Sequence, residues 1–169
     1  MKILRVGIAG FGVVGKRRKI FIDQNNKLKI VAISDITFKE ELNQRNDIFF
    51  LKNYKSLFHY DLDIIFICLP NKFASEATIL ALKKNVHIFC EKPPAKNLND
   101  LKKVIKVKER YPKLKLKYGF NHRYHDSFIQ ANRIISSKKY GKLINIRAVY
   151  GKSAIIPNTG GWRSKKSEA

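Results

Sequence analysis

A chain of 169 residues, 44% of them apolar, has the length for one well-buried domain, or for one domain and the start of another. No apolar run approaches the roughly 20 residues that cross a bilayer, so no membrane partner is expected. Lysine and arginine number 35 against 13 acidic residues, a formal charge of +22, but they are scattered through every segment, which argues for steering of anionic ligands and against specific nucleic-acid recognition.

Residues 3–9 form an apolar run that predicts a buried strand, entered directly from Met1 and Lys2 without the architecture of a secretory signal peptide. Gly10-Phe11-Gly12-Val13-Val14-Gly15 follows and opens a helix predicted over residues 13–23. A second apolar run, residues 28–34, ends at Asp35, about 20 positions beyond the glycines. Strand, glycine turn, helix and late carboxylate together make a dinucleotide-binding fingerprint. Gly10 permits the tight turn, Gly12 admits a pyrophosphate to the backbone, and Gly15 lets helix and strand pack closely. The helix N-terminus offers free N–H donors to phosphate. Asp35 accepts hydrogen bonds from ribose hydroxyls and repels a 2′-phosphate, which favours NAD over NADP. The run Lys16-Arg17-Arg18-Lys19 lies just past the glycines, where it either touches phosphates or forms a solvated helix face.

Residues 38–45 are polar and helix-capable; residues 48–51 supply a short strand or a packed loop. Residues 63–69 are apolar throughout after Asp63, as a strand covered on both faces must be, and Pro70-Asn71 ends them. A helix over residues 74–84 puts Ala77, Leu80 and Ala81 on one face, and Asn85 suits a left-handed stop. A strand over residues 86–90 delivers Glu91-Lys92-Pro93-Pro94 at its carboxyl end, where ligands collect in open α/β sheets. Asn99 is expected to cap a helix over residues 100–110, stopped by Tyr111-Pro112. A strand over residues 114–120 leads to Asn121, His122 and Arg123, with His122 a candidate acid/base or substrate contact. An amphipathic helix over residues 125–139 ends at Gly141, and residues 142–150 alternate like a half-buried antiparallel strand. Cys68 and Cys90 lie in apolar runs and read as buried free thiols, consistent with a cytoplasmic address. His59, His87 and His125 have no partners at metal-ligand spacing, so no metal site is expected.

The fold class expected is α/β: a Rossmann-type doubly wound parallel sheet over residues 1–123, then the beginning of an α+β substrate domain over residues 124–169.

The glycine fingerprint, the strand-borne Glu91-Lys92-Pro93 and Tyr118-Gly119-Phe120-Asn121-His122-Arg123-Tyr124, in that order, resemble the Gfo/Idh/MocA family of oxidoreductases. The stretch from Leu69-Pro70-Asn71 to Pro93 also resembles the family's pattern. The resemblance implies hydride transfer to or from a secondary alcohol of a sugar, cyclitol or sugar nucleotide. It implies Lys92 as the active-site lysine on the reacting hydroxyl, a turn shaped by Glu91 and Pro93, and a cis bond before that proline. Leu69, Pro70, Asn71, Glu91 and Lys92 join the glycine loop as cofactor contacts by the same resemblance; Lys92, Asn121, Arg123, Trp162 and Arg163 are its candidate substrate contacts.

Two departures stand out. Ala74 occupies the position where the family usually carries a histidine, four residues after Pro70. Gly160-Gly161-Trp162-Arg163 resembles a segment that relatives continue into an Asp-x-x-x-His helix, and this chain does not contain that helix. The expectation is therefore the N-terminal part of a longer, homo-oligomeric enzyme. A dinucleotide-binding module without turnover is the alternative, and charge-driven nucleic-acid binding a third reading. A strand at residues 142–150 without its sheet is expected to leave an exposed apolar face.

Overall fold

Alternate residues of the first strand, β1 (Leu4–Ala9), leave the sheet on opposite faces, and each face becomes a core: Val6 and Ile8 turn one way, Gly7 and Ala9 the other. The computed structural model describes residues 2–149 and 151. Its described residues fall into two units, residues 2–119 and the shorter stretch from Phe120 onward.

In the first unit, β1 leads through α1 (Val13–Asp23) to β2 (Leu28–Ser34). A hairpin follows, β3 (Leu42–Arg45) and β4 (Ile48–Leu51), then a 3-10 turn over Tyr54–His59 and β5 (Ile64–Ile67). The remaining elements are α2 (Asn71–Lys83), β6 (His87–Cys90), α3 (Leu98–Glu109) and β7 (Leu116–Tyr118). The sheet order is β3-β4-β2-β1-β5-β6-β7, parallel throughout except for β3, which runs antiparallel to β4. The chain departs from β1 toward β2 on one side and resumes at β5 on the other, so the order reverses beside β1.

One face packs Val6, Ile8, Ile30 and Ile33 with Ile22 of α1; the other packs Ala9, Ile65, Ile67, Ile88 and Cys90 with Ala74, Ala77, Ala81 and Leu82 of α2. Isoleucines and alanines alternate in size across the second interface, which lets α2 lie close to the strands. β5 is apolar on both faces because both are covered: Ile65 and Ile67 serve one core, Ile64 and Phe66 the other. The Rossmann-type doubly wound sheet expected from the sequence is the fold observed. Asn85 takes the predicted left-handed conformation, with φ 58°.

Four local expectations are corrected. Residues 38–45 do not form a helix: residues 42–45 are strand β3, joined to β4 through Asn46 (φ 48°) and Asp47 (φ 61°). That two-residue turn with positive φ matches strand twist, and the β-forming Ile48-Phe49-Phe50-Leu51 captures its neighbour, overriding helix propensity in Lys39-Glu40-Glu41. The cap of α3 is Asn97, whose side-chain oxygen accepts from the Asp100 N–H at 2.9 Å; the helix starts before Asn99 because Asn97 and Asp100 hold the capping-box spacing. The strand expected over residues 114–120 is shorter, β7 at Leu116–Tyr118, because the Leu114 N–H is taken by the Tyr111 carbonyl at 3.1 Å; past it, Asn121–Tyr124 is a 3-10 turn. Finally, residues 142–149 form no strand: a strand needs a ladder partner, and among the described residues none pairs with this segment.

The second unit holds that 3-10 turn and α4 (Asp126–Ser136). Among its described residues none is buried, and Phe128, Ile134, Ile135, Leu143, Ile144, Ile146 and Val149 are all exposed, the apolar face expected of an unpaired segment. No helix among the described residues is long and apolar enough to cross a membrane.

Candidate functional site

Parallel strands deliver their carboxyl ends to one edge of the sheet, and the candidate residues of the first unit gather there. Gly10 leaves β1 with φ +90°, its N–H donating to the Ser34 carbonyl at 2.8 Å. A Cβ at Gly10 would lie 2.6 Å from the Cys68 carbonyl oxygen, so the turn fits only against the bare backbone leaving β5. A Cβ at Gly15 would lie 2.1 Å from the Gly10 carbonyl oxygen; this is the close helix–strand approach that the fingerprint requires. Gly12 differs, since a Cβ there would meet nothing within 4 Å. It opens toward space at the start of α1, which has no side-chain cap and no acidic residue in its first turn. The first N–H groups of that helix and its partial positive charge thus lie beside open space.

Asp35 stands at the end of β2, with its own N–H donating to the Leu51 carbonyl at 3.0 Å. Its Oδ2 accepts from the Phe11 N–H at 2.6 Å, and its Oδ1 from the Thr37 N–H at 3.0 Å and the Thr37 hydroxyl at 2.7 Å. Sequence reasoning assigned this carboxylate to a ligand alone; the structure also makes it the clasp of the glycine loop. Phe11 packs on Phe38, and Phe38 edge-on against Phe50. A cavity of about 270 Å³ lies alongside, lined by Phe38, Lys39, Glu40, Asn43, Arg45 and Phe50, where the chain passes from β2 into the hairpin without a crossover helix.

Beyond β5, Leu69 and Pro70 are half-buried, and Pro70 caps α2, which begins at Asn71. Ala74 is buried in the α2 interface. Beyond β6 comes Glu91-Lys92-Pro93, with a cis bond between Lys92 and Pro93. Lys92 is exposed and Glu91 is not. The Glu91 carboxylate is gripped by Arg18 of α1 through the guanidinium Nε at 2.7 Å and a second, shorter contact from Nη2. The same guanidinium lies over the Phe89 ring, 4.7 Å from its centroid. Sequence reasoning missed this pairing, having weighed Arg18 only as a phosphate contact or a solvated face; two oppositely charged residues 73 positions apart give no pattern to read. Lys19, next in the basic run, pairs with Asp23 at 2.5 Å, while Lys16 and Arg17 are exposed.

Cys68 and Cys90 are free thiols beneath this edge, both pushed up to about 12, chiefly by burial. The thiolate form is therefore scarce, and neither suits a nucleophile's role. His87 Nδ1 accepts from the Lys115 N–H at 3.0 Å, bridging β6 to the segment before β7.

Asn121, His122 and Arg123 belong to the second unit, on its exposed 3-10 turn, with the His122 ring 6.4 Å from that of Phe128. The structure thus gathers Gly10, Phe11, Gly12, Val13, Val14, Gly15, Asp35, Leu69, Pro70, Asn71, Glu91 and Lys92 on one unit. Trp162 and Arg163 lie outside the described residues.

Comparison with known proteins gives a consistent result. The model of an oxidoreductase family with an NAD-binding Rossmann fold, Gfo/Idh/MocA, matches residues 4–120. An inositol 2-dehydrogenase of Salmonella typhimurium is 26% identical over 165 residues, which cover 91% of this chain and 48% of that protein. The crystal structure of myo-inositol 2-dehydrogenase from Lactobacillus plantarum superposes with a TM-score of 0.73 at 31% identity, covering 85% of this chain and 44% of that one. Scyllo-inositol dehydrogenase from Lactobacillus casei, with bound NAD(H) and scyllo-inositol, gives a TM-score of 0.74 at 25% identity, covering 83% and 43%. The chain spans about half the length of the curated relatives it matches.

Proposed function

We infer the activity from a premise: this chain belongs to the Gfo/Idh/MocA family of oxidoreductases, with the family's NAD-binding Rossmann fold. We propose that it binds NAD and takes part in hydride transfer to or from a secondary alcohol of a cyclitol, sugar or sugar nucleotide. The observation that carries this reading is the pairing of an uncapped, sterically open helix N-terminus at Gly12 with a lysine at the carboxyl end of β6, on one edge of one sheet.

The residues present fit the coenzyme. Gly12 leaves room for a pyrophosphate beside the first N–H groups of α1, and Gly10 and Gly15 hold that backbone in place. Asp35 has one of its roughly four acceptor sites left after its three internal bonds and a charge that opposes a 2′-phosphate, which supports NAD over NADP. Nicotinamide supplies the hydride acceptor or donor when bound. Lys92 orients the alcohol by donating to its oxygen and passes on the hydroxyl proton. Asn121 and Arg123 contact the substrate, as do Trp162 and Arg163, and His122 serves as a substrate contact or proton acceptor. Residues 1–123 act as the cofactor domain and residues 124–169 as the start of the substrate domain, in a cytoplasmic homo-oligomer.

A second reading is a cofactor-binding module without turnover, since the candidate cofactor contacts all lie on the first unit. Titration with NADH followed by assay with NAD and a panel of inositols, hexoses and sugar nucleotides separates the two. NADH binding that is lost in Gly12→Trp, with polyol oxidation lost in Lys92→Ala while NADH still binds, is the expected result. Binding without oxidation of any polyol leaves the module; absence of binding overturns both.

A further inference from the structure

We propose that Arg18 is the positioning residue of the Lys92 turn, a clamp that fixes the turn to the helix whose open N-terminus begins at Gly12. The proposal rests on the role given to Lys92 above. Arg18 stands on α1, a single residue beyond the run Gly15-Lys16-Arg17, and its fork closes on Glu91, the residue before Lys92. The guanidinium is flanked on one side by the Phe89 ring. It retains 23% and Glu91 13% of side-chain exposure, so the pair is shielded from most solvent. An arginine suits this place because its planar fork can pair with a carboxylate and stack on a ring at once.

Glu91 is also bounded from the far side. Gly119 follows β7, its N–H donates to the Cys90 carbonyl at 2.8 Å, and a Cβ there would lie 2.9 Å from Glu91 Oε2. The carboxylate is therefore confined between α1 and the end of β7. Glu91 N–H donates to the Ile67 carbonyl at 2.8 Å, so the backbone at Glu91 is set by the sheet and its side chain by Arg18. Lys92, exposed and one residue on, inherits its position from both. Ordering of α1 by an anion docked at its N-terminus would reach the lysine turn through the Arg18–Glu91 pair.

The test is amide hydrogen exchange of the full chain at residues 91–95, read at the amides of Glu91, Lys92 and Ala95 because Pro93 and Pro94 carry none, first without cofactor and then with NADH. Arg18→Met removes the charge and keeps much of the stem; it is expected to raise exchange at residues 91–95 about tenfold while β1, β2 and α2 keep their protection. Arg18→Lys keeps the charge and is expected to recover most of that protection. Gly119→Ala, which pushes on Glu91 without touching α1, is expected to reproduce the effect and carries the test if Arg18→Met does not fold. With NADH present, wild type gains protection at residues 91–95 and Arg18→Met binds the cofactor without gaining it. Unchanged exchange at residues 91–95 in the folded variants overturns the clamp, as does a loss of protection spread evenly over the sheet. A wild-type chain that ignores NADH ends the proposed function, while the cofactor-free exchange still decides the clamp.

Discussion

The Phe11 N–H reaches the Asp35 carboxylate across 2.6 Å, so the middle of the glycine loop hangs on the end of β2. Asp35 should therefore count in stability as well as in affinity. Asp35→Ala is expected to cost about 2 kcal/mol in urea unfolding at unchanged m-value, the range of a hydrogen bond to a charged group. Asp35→Asn keeps one acceptor oxygen and should cost less. Both should weaken NADH binding.

Gly12 and Gly15 should separate folding from binding. Gly15→Ala drives a Cβ to 2.1 Å from the backbone oxygen of Gly10, so helix and strand must part, and unfolding should shift by several times the cost of Gly12→Ala. Gly12→Ala meets open space, and its expected cost is under about 1 kcal/mol, from the poorer cap alone. NADH titration should nonetheless show weakened binding in both.

Asp63 sets an acid limb. The Arg5 N–H, at 2.8 Å, and the Lys2 ammonium, at 2.7 Å, hold its carboxyl at about 2, below the ordinary 3.8. A depressed carboxyl stabilises the fold above its unfolded value, and that contribution is lost as the pH falls from about 4 through about 2. Asp63→Asn should flatten this limb in a plot of unfolding free energy against pH. The expected amplitude is about 1 kcal/mol, because the lysine partner is exposed and screened.

The thiols should be silent until the chain unfolds. With Cys68 and Cys90 both at about 12, the thiolate fraction at pH 8 is about 10⁻⁴. Titration with a chromogenic disulfide should count two thiols in guanidinium and be slow at both in the native chain. Rapid native reaction at Cys68 would contradict its placement.

What the sequence made legible is what repeats locally. Residues 13–23 and 28–34 match α1 and β2 because period and breakers agree there: the glycines open the helix, and apolar runs define the strands. Glu91, Lys92 and the glycine loop reach one edge because parallel strands must end together, a topological consequence readable from strand–helix alternation. The clamp between Arg18 and Glu91 was not legible, since it depends on the tertiary packing that brings Arg18 to Phe89 and Glu91 and not on any local pattern. The hairpin left a signal that was passed over: Asn46-Asp47 beside a β-branched and aromatic run, two residue types that tolerate positive φ. Asn97 lies just before the expected Asn99 and is marked by its capping-box spacing to Asp100.

That hairpin also offers a handle. β4 runs parallel to β2, whose carboxyl end carries Asp35, so the turn at Asn46 and Asp47, which precedes β4, lies at the opposite rim of the sheet. Both turn residues are exposed, and β3 is an edge strand with nothing beyond it among the described residues. A short fluorescent or affinity tag spliced there would report on the protein from the rim farthest from the glycine loop and Lys92.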